Sequence, residues 1–318
     1  MAEKKVYTGK AGFELLHREQ FKLQRKIVAN MTSEAWETIP HAAGNYEPDA
    51  TEFLDYYQKL RGERPEWKAI TVNTLLLYII TQGLIACPAM NGHITFKRKS
   101  ANGCIELYKD INISMPMIMP DGKMMTINLH NCEQMSLSEL AAYIADVRRR
   151  MDNTDVTEAM YEAAFENTIN YIKRGRVDIV LSRLLGNMIG KGKMERVPKK
   201  ARKEYFKSPA RDRLTKLDIE QGTVTVSNLG SVYRGSAYAP PVLLDVIPPQ
   251  LCVIGLGGTI ERPGIVTLPG GAKEIKPRKF IPFHLCMDHR ALDYGEFVPF
   301  MRRLDEIFSK PEAMENWI

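Results

Sequence analysis

Long apolar runs are missing from this 318-residue chain. The longest, Thr74 to Cys87, is interrupted by Gln82 and Gly83 and falls short of the roughly 20 residues a bilayer-spanning helix needs. It reads as a buried helix, and no membrane partner is expected. Met1 to Lys10 carries charges but no apolar signal-peptide core, so a cytoplasmic setting is expected. Cysteine is sparse and odd in number: Cys87, Cys104, Cys132, Cys252 and Cys286 are far apart, and no CxxC pair exists. Their apolar surroundings suggest reduced core thiols rather than a disulfide framework. A metal is not expected, although His284, Cys286 and Asp288 alternate on one predicted strand face. Neither sign of charge dominates, since Lys+Arg 44 against Asp+Glu 38 leaves +6. That excess is compatible with a phosphorylated ligand and requires none; no nucleic-acid partner is expected.

Familiar nucleotide and protease signatures are absent too. No GxxxxGK[ST], HExxH or kinase motif occurs. Gly255-Leu256-Gly257-Gly258 follows a predicted strand, but Pro263 and Gly264 come soon after and no helix opens, which excludes a Rossmann fingerprint. No internal repeat or linker divides the chain.

What is present is a mixture of helix and strand signals. Periodicity predicts a helix from Phe13 to Met31, closed off by Pro40, then an extended run from His41 to Ala50. Thr51 is expected to cap a helix bearing Phe53, Leu54, Tyr57 and Leu60 on one face. The buried helix Asn73 to Ala86 follows, then strands near His93–Lys97, Ile105–Tyr108, Asn112–Met119 and Lys123–Asn128, the last two joined by a Pro120-Asp121-Gly122 turn. Ser136 with Glu139 opens a helix reaching about Met151. From about Asn153 to Pro209 the chain changes character: helical stretches Glu158–Lys173 and Asp178–Ile189 precede a basic run ending at Lys207, which reads as an inserted helical subregion whose charge is solvated or else forms an anion or partner site. Beyond Gly222 strands are expected at Thr223–Ser227, Gln250–Leu256 and Phe280–Met287, in one sheet. A final helix runs from Asp293 to Phe308.

Two places could carry chemistry. In Met287-Asp288-His289-Arg290-Ala291-Leu292-Asp293 a histidine stands where an apolar strand ends and an aspartate where a helix begins. An imidazole exposed there can take a proton near neutral pH if an orienting group fixes which ring nitrogen is free. The same residues also fit a plain junction in which Asp293 and Glu296 form a capping box. In Val224-Thr225-Val226-Ser227-Asn228-Leu229-Gly230 a β-branched strand runs into small polar residues. Lacking a GxSxG setting, Ser227 suits donation to an oxyanion better than attack, or else simply ends a strand. Cys286 and His289, three apart on a strand, point to opposite faces and make a poor nucleophile–base pair.

These segments, taken in order, resemble the catalytic domain of the dihydrolipoamide acyltransferase components of 2-oxo acid dehydrogenase complexes, relatives of chloramphenicol acetyltransferase. The resemblance rests on Gln24-Arg25-Lys26-Ile27-Val28-Ala29-Asn30-Met31, Thr38-Ile39-Pro40-His41, Val72-Asn73, Pro88 with Asn91, Pro120-Asp121-Gly122 and Ser136-Leu137-Ser138-Glu139-Leu140. It continues through Thr225-Val226-Ser227-Asn228-Leu229-Gly230, Ile247-Pro248-Pro249-Gln250 and Asp288-His289-Arg290-Ala291-Leu292-Asp293. It implies a single α/β (α+β) acyltransferase domain over 1–318, a mixed sheet flanked by helices with a helical insertion at about 153–209. It also implies a homotrimer or higher homo-oligomer with sites between subunits. Coenzyme A or acyl-CoA would be the substrate and a thiol such as dihydrolipoamide the acceptor. By the same resemblance His289 is the general base and Ser227 the oxyanion donor, with Asp293 and Arg25 in support.

Two departures stand out. The family pattern is HxxxDG, and here Tyr294 occupies the glycine position, with Gly295 one place later. The segment before Phe21 has no room for lipoyl or subunit-binding domains, so a lipoyl group is expected on a separate chain, where it could be joined by other complex subunits as partners. The rivals are a related acyltransferase with a small hydroxyl or amine acceptor, and a catalytically weak scaffold subunit.

Overall fold

The computed structural model describes residues 7–8, 14–120, 122, 124–155, 157–159, 198–231 and 244–318. The helical stretches expected within 160–197 therefore lie outside the described residues, as does Asp121. Two short strands, β1 (Tyr7–Thr8) and β2 (Glu14–Leu15), pair at the start. The first helix, α1, spans Leu23–Thr38 rather than Phe13–Met31. Its apolar residues make no core stripe: Ala35 is buried, while Val28 and Trp36 are exposed, as are Leu16 and Phe21 ahead of it. Apolar spacing over that stretch therefore did not mark a core-facing helix.

After β3 (His41–Tyr46) comes α2 (Thr51–Glu63). Thr51 does not cap it; Ala50 holds the N-cap position. The Thr51 hydroxyl donates to Asp49 Oδ1 (2.6 Å) and accepts the Lys279 backbone N–H (2.8 Å), which ties the helix start to a distant strand. Helix α3 (Val72–Ala86) is capped by Thr71, whose side chain accepts the Thr74 N–H at 3.1 Å, and is buried nearly all round. Strands β4 (Gly92–Lys97) and β5 (Asn102–Leu107) form a separate hairpin; β6 (Ile113–Ile118) and β7 (Met124–Leu129) join the main sheet. Helix α4 (Leu137–Asp152) opens with the expected capping box between Ser136 and Glu139. The basic run forms α5 (Lys199–Tyr205), and a short α6 (Lys216–Ile219) precedes β8 (Val224–Asn228) and β9 (Cys252–Leu256).

Between β9 and β12 (Phe283–Asp288) stands a ribbon that the sequence did not announce, β10 (Ile260–Thr267) paired antiparallel with β11 (Lys273–Phe280). Pro263 and Pro277 face each other in it. A two-stranded ribbon has two open edges, so a residue without an N–H is tolerated there, although it weakens the strand signal. The last helix, α7 (Val298–Ser309), follows a 3-10 turn at Tyr294–Phe297 and buries Phe300, Leu304, Ile307 and Phe308.

The main sheet has six strands in the order β3-β12-β9-β8-β6-β7. Strands β9, β8 and β6 run parallel to one another, while β3, β12 and β7 complete antiparallel pairs. Alternation sends Val226, Ile254 and Leu285 into the large core with α3 and α7. Val253 and Cys286 face the other way, in a small cluster with Ile39 and Val246. This is the expected mixed sheet flanked by helices. Among the described residues no helix is long and apolar enough to cross a membrane.

Candidate active site

His289 leaves β12 where the strand breaks into a turn, and three contacts shape it. Its backbone N–H donates to the Pro40 carbonyl at 3.0 Å. Its Nδ1 lies 3.1 Å from the Leu292 carbonyl oxygen and 3.3 Å from Asp293 Oδ1. A carbonyl can only accept, so Nδ1 carries the ring proton and Nε2 keeps its lone pair. The imidazole is exposed, and a ring nitrogen with a free lone pair there can accept a proton. Asp293 forms the expected capping box with Glu296 and also sets a carboxylate beside the imidazole.

The turn itself is held from below by a pair that motif reading passed over. Asp288 is 0% exposed and takes the guanidinium of Arg290 in a fork, Nε–Oδ1 2.9 Å and Nη2–Oδ2 2.5 Å. It also accepts the Arg290 backbone N–H at 3.0 Å. The Arg290 guanidinium lies over the Phe96 ring of β4, 5.5 Å from its centroid. An Asp-x-Arg spacing at the end of an apolar strand was the available signal, because a buried carboxylate there needs a cation. Beside it, His41 on β3 accepts the Val246 N–H through Nε2 and stacks against Trp36.

Ser227 sits at the opposite end of the sheet. It pairs with Gly255 of β9, which pairs with His284 of β12. Asp288 is four residues beyond His284, about 13 Å along the strand, and His289 is further still. His289 and Ser227 are thus separated lengthwise and by two strand spacings within one chain. Near Ser227, Asn228 donates to Asn73 at the start of α3 (2.9 Å), bringing together two segments on which the resemblance rests. A Cβ on Gly230 would meet the Gly257 carbonyl oxygen at 2.8 Å, so the glycines after β9 permit a close backbone crossing rather than a phosphate cradle.

Arg25 is exposed near the start of α1, and the Asp293 carboxylate faces His289 in this chain. The neighbouring Gln24 amide donates to the Met124 carbonyl at the start of β7. Met124 pairs with Ile118 at the end of β6, which runs parallel to β8, so Arg25 lies towards the Ser227 end. The opposite end of α1 leads to Pro40 and His289.

Tyr294 turns away from this chemistry. Its ring lies over Gly44, where an added Cβ would come within 2.9 Å of Cε2, and its hydroxyl faces Met301 Sδ at 3.7 Å. Neither Tyr294 nor Gly295 has a positive φ, so the backbone does not need glycine at 294.

Four cysteines are buried as expected, but Cys104 is exposed, because every residue of β5 faces outward on its hairpin. Burial pushes the Cys286 thiol up to about 11 and the Cys132 thiol up to about 12, which suits inert core thiols. Among the described residues no cluster of three His, Cys, Asp or Glu could hold a metal ion. Asp288 is engaged by Arg290 and His284 by Asn45.

The catalytic-domain profile of the 2-oxoacid dehydrogenase acyltransferases matches residues 16–166 and 198–315. The chain belongs to this family. Residues 167–197, outside the match, lie within the expected insertion. The mitochondrial dihydrolipoyllysine-residue succinyltransferase component of the Saccharomyces cerevisiae 2-oxoglutarate dehydrogenase complex is 40% identical over 109 residues, 34% of this chain and 21% of that protein. This family member thus aligns with about a fifth of that relative's length. A probable dihydrolipoamide acetyltransferase from Listeria monocytogenes has the same fold (TM-score 0.61, 19% identity, 93% of this chain and 95% of that one). So does the Azotobacter vinelandii dihydrolipoamide acetyltransferase (TM-score 0.60, 20% identity, 96% of each chain), solved to define the catalytic role of a serine, a histidine and an asparagine four residues after the histidine.

Proposed function

We propose that this chain transfers an acyl group between CoA and a thiol such as dihydrolipoamide, carried on a separate chain. The observation that carries this reading is the His289 Nδ1 contact with the Leu292 carbonyl, which leaves Nε2 unprotonated on an exposed imidazole. His289 Nε2 takes the proton of the incoming thiol as its sulfur attacks the thioester carbonyl. The tetrahedral oxyanion accepts a hydrogen bond from the Ser227 hydroxyl. Collapse expels the other sulfur, which takes back the proton from His289, so no acyl-enzyme forms. Asp293 stabilises the transient imidazolium. The A. vinelandii relative supports these roles through the same order of serine, histidine and a polar residue four places on.

Strand register supports a site shared between copies. Since Ser227 and His289 stand at opposite ends of one sheet, a working site takes Ser227 from one copy and His289 from another, as a homotrimer allows. Arg25, at the Ser227 end, then approaches the Asp293 of the copy that supplies His289. Tyr294 is compatible with turnover, because its ring rests on Gly44.

The test is acyl exchange from acetyl-CoA and longer acyl-CoAs to free dihydrolipoamide. Wild type turns over; His289→Ala and Ser227→Ala each lose most activity. Dissociating and reassembling a mixture of the two variants restores part of it, because mixed assemblies contain intact sites. A folded, oligomeric wild type that transfers to no thiol sinks this reading and favours another acceptor or a scaffold. Failure of the mixture to recover activity sinks the shared site.

A further inference from the structure

Ser227, Gly255, His284 and Asn45 form one row across β8, β9, β12 and β3. Laterally paired residues share a face, so all four lie on the side away from the large core. Gly255 puts no side chain between Ser227 and His284, whose Cα atoms are two strand spacings, about 10 Å, apart. His284 is 2% exposed, and its Nδ1 lies 2.8 Å from Asn45 Oδ1. An amide oxygen only accepts, so Nδ1 is the protonated nitrogen and Nε2 presents a lone pair. That Nε2 is buried and has no hydrogen-bond partner among the described residues. Burial also pushes the imidazole below its ordinary value, which keeps it neutral.

A buried acceptor left without a donor is costly, and the Ser227 hydroxyl stands two strand spacings away on the same face. We infer that His284 is a positioning residue for Ser227, acting through one water that donates one hydrogen to His284 Nε2 and the other to Ser227 Oγ. With its oxygen so engaged as acceptor, Ser227 directs its single proton outward, where an oxyanion forms. Asn45 fixes the ring tautomer that makes His284 an acceptor. Local motif reading noted His284 only as a doubtful metal ligand; its link to Ser227 emerges from the pairing of three strands.

The inference rests on the oxyanion role proposed for Ser227, and the experiment separates the two. His284→Leu keeps comparable bulk without an acceptor; His284→Gln restores one. Expected is a fall in kcat of about tenfold in His284→Leu, the scale of one ordinary hydrogen bond, with KM unchanged and most activity regained in His284→Gln. Combined with Ser227→Ala, His284→Leu should add nothing, because the group it orients is already gone. Losses that multiply, or a folded glutamine variant as impaired as the leucine one, overturn the inference. An arm independent of turnover is the 15N resonance of His284 Nε2, expected to move on Ser227→Ala. An unmoved resonance overturns the coupling even in an active enzyme. If Ser227→Ala leaves turnover intact while the resonance moves, the coupling stands and the oxyanion role falls.

Discussion

The two ends of the central sheet are built by different means. At the His289 end, ring, carbonyl and carboxylate lie within five consecutive residues, and the turn is clamped by Asp288 and Arg290 two apart. At the Ser227 end, neighbours come from strands far apart in sequence: His284 meets Asn45 across 239 positions, and Asn228 meets Asn73 across 155. A short-range site can be exposed and still hold its geometry, because each bond closes a small loop. A long-range site depends on the sheet register, since a slip of one residue turns Ser227 to the other face.

The largest effect expected from breaking this contrast is at Asp288. Its carboxylate is fully buried and serves one cation. Asp288→Ala should cost about 3 kcal/mol, because Arg290 loses its partner inside the fold, and activity should fall with the turn. Denaturant midpoints for the variant and for wild type measure this directly. An unchanged midpoint would show that Arg290 escapes to water and that the clamp is dispensable.

Next in size is Ser227→Ala, for which the proposed oxyanion role predicts a fall in kcat of about 10²–10³. Because Ser227 is half-buried with no packing role in the large core, stability should barely move. The pair thus distinguishes a locally built end, where one substitution removes both fold and function, from a laterally built one, where chemistry can be removed alone. Tyr294→Gly should do less than either. The tyrosine ring covers Gly44 and faces Met301 rather than His289, so turnover should stay within about threefold while stability drops modestly from lost apolar cover. A large gain in turnover would show instead that the tyrosine obstructs the thiol.

How much of this was legible in the sequence follows the same division. The His289 turn, the Asp293 capping box and the Ser136–Glu139 box are short-range patterns, and each stands where spacing put it. The start of α1 was misplaced because Leu16, Phe21 and Val28 are apolar yet exposed, so their spacing did not report a buried face. The ribbon of β10 and β11 was missed because its prolines and outward residues erase the alternation that marks a half-buried strand. Local spacing predicts Thr51 as a cap, whereas its hydroxyl serves Lys279, 228 residues away. No window of sequence could have joined His284 to Ser227. Only the order of strands does that.

The smallest expected effect is also the most specific to the Ser227 end. His284 and His93 are both held below the ordinary histidine value, chiefly by burial. The unfolded chain then binds protons that the folded one refuses, so stability is fully present above about pH 6.5 and declines as pH falls through the depressed values. Glu52 is held low chiefly by its hydrogen bond from Arg278, so its contribution starts to fall only as pH drops into the usual carboxylate range and is fully lost below it. A plot of Tm against pH should therefore bend first on the acid side of neutrality and again near pH 4. His284→Gln removes one of these two depressed imidazoles and should reduce the first bend without touching the second. If the first bend keeps its full depth in that variant, His284 is protonated within the fold at no cost, and the acceptor lone pair beside Ser227 is not preserved as the pH falls.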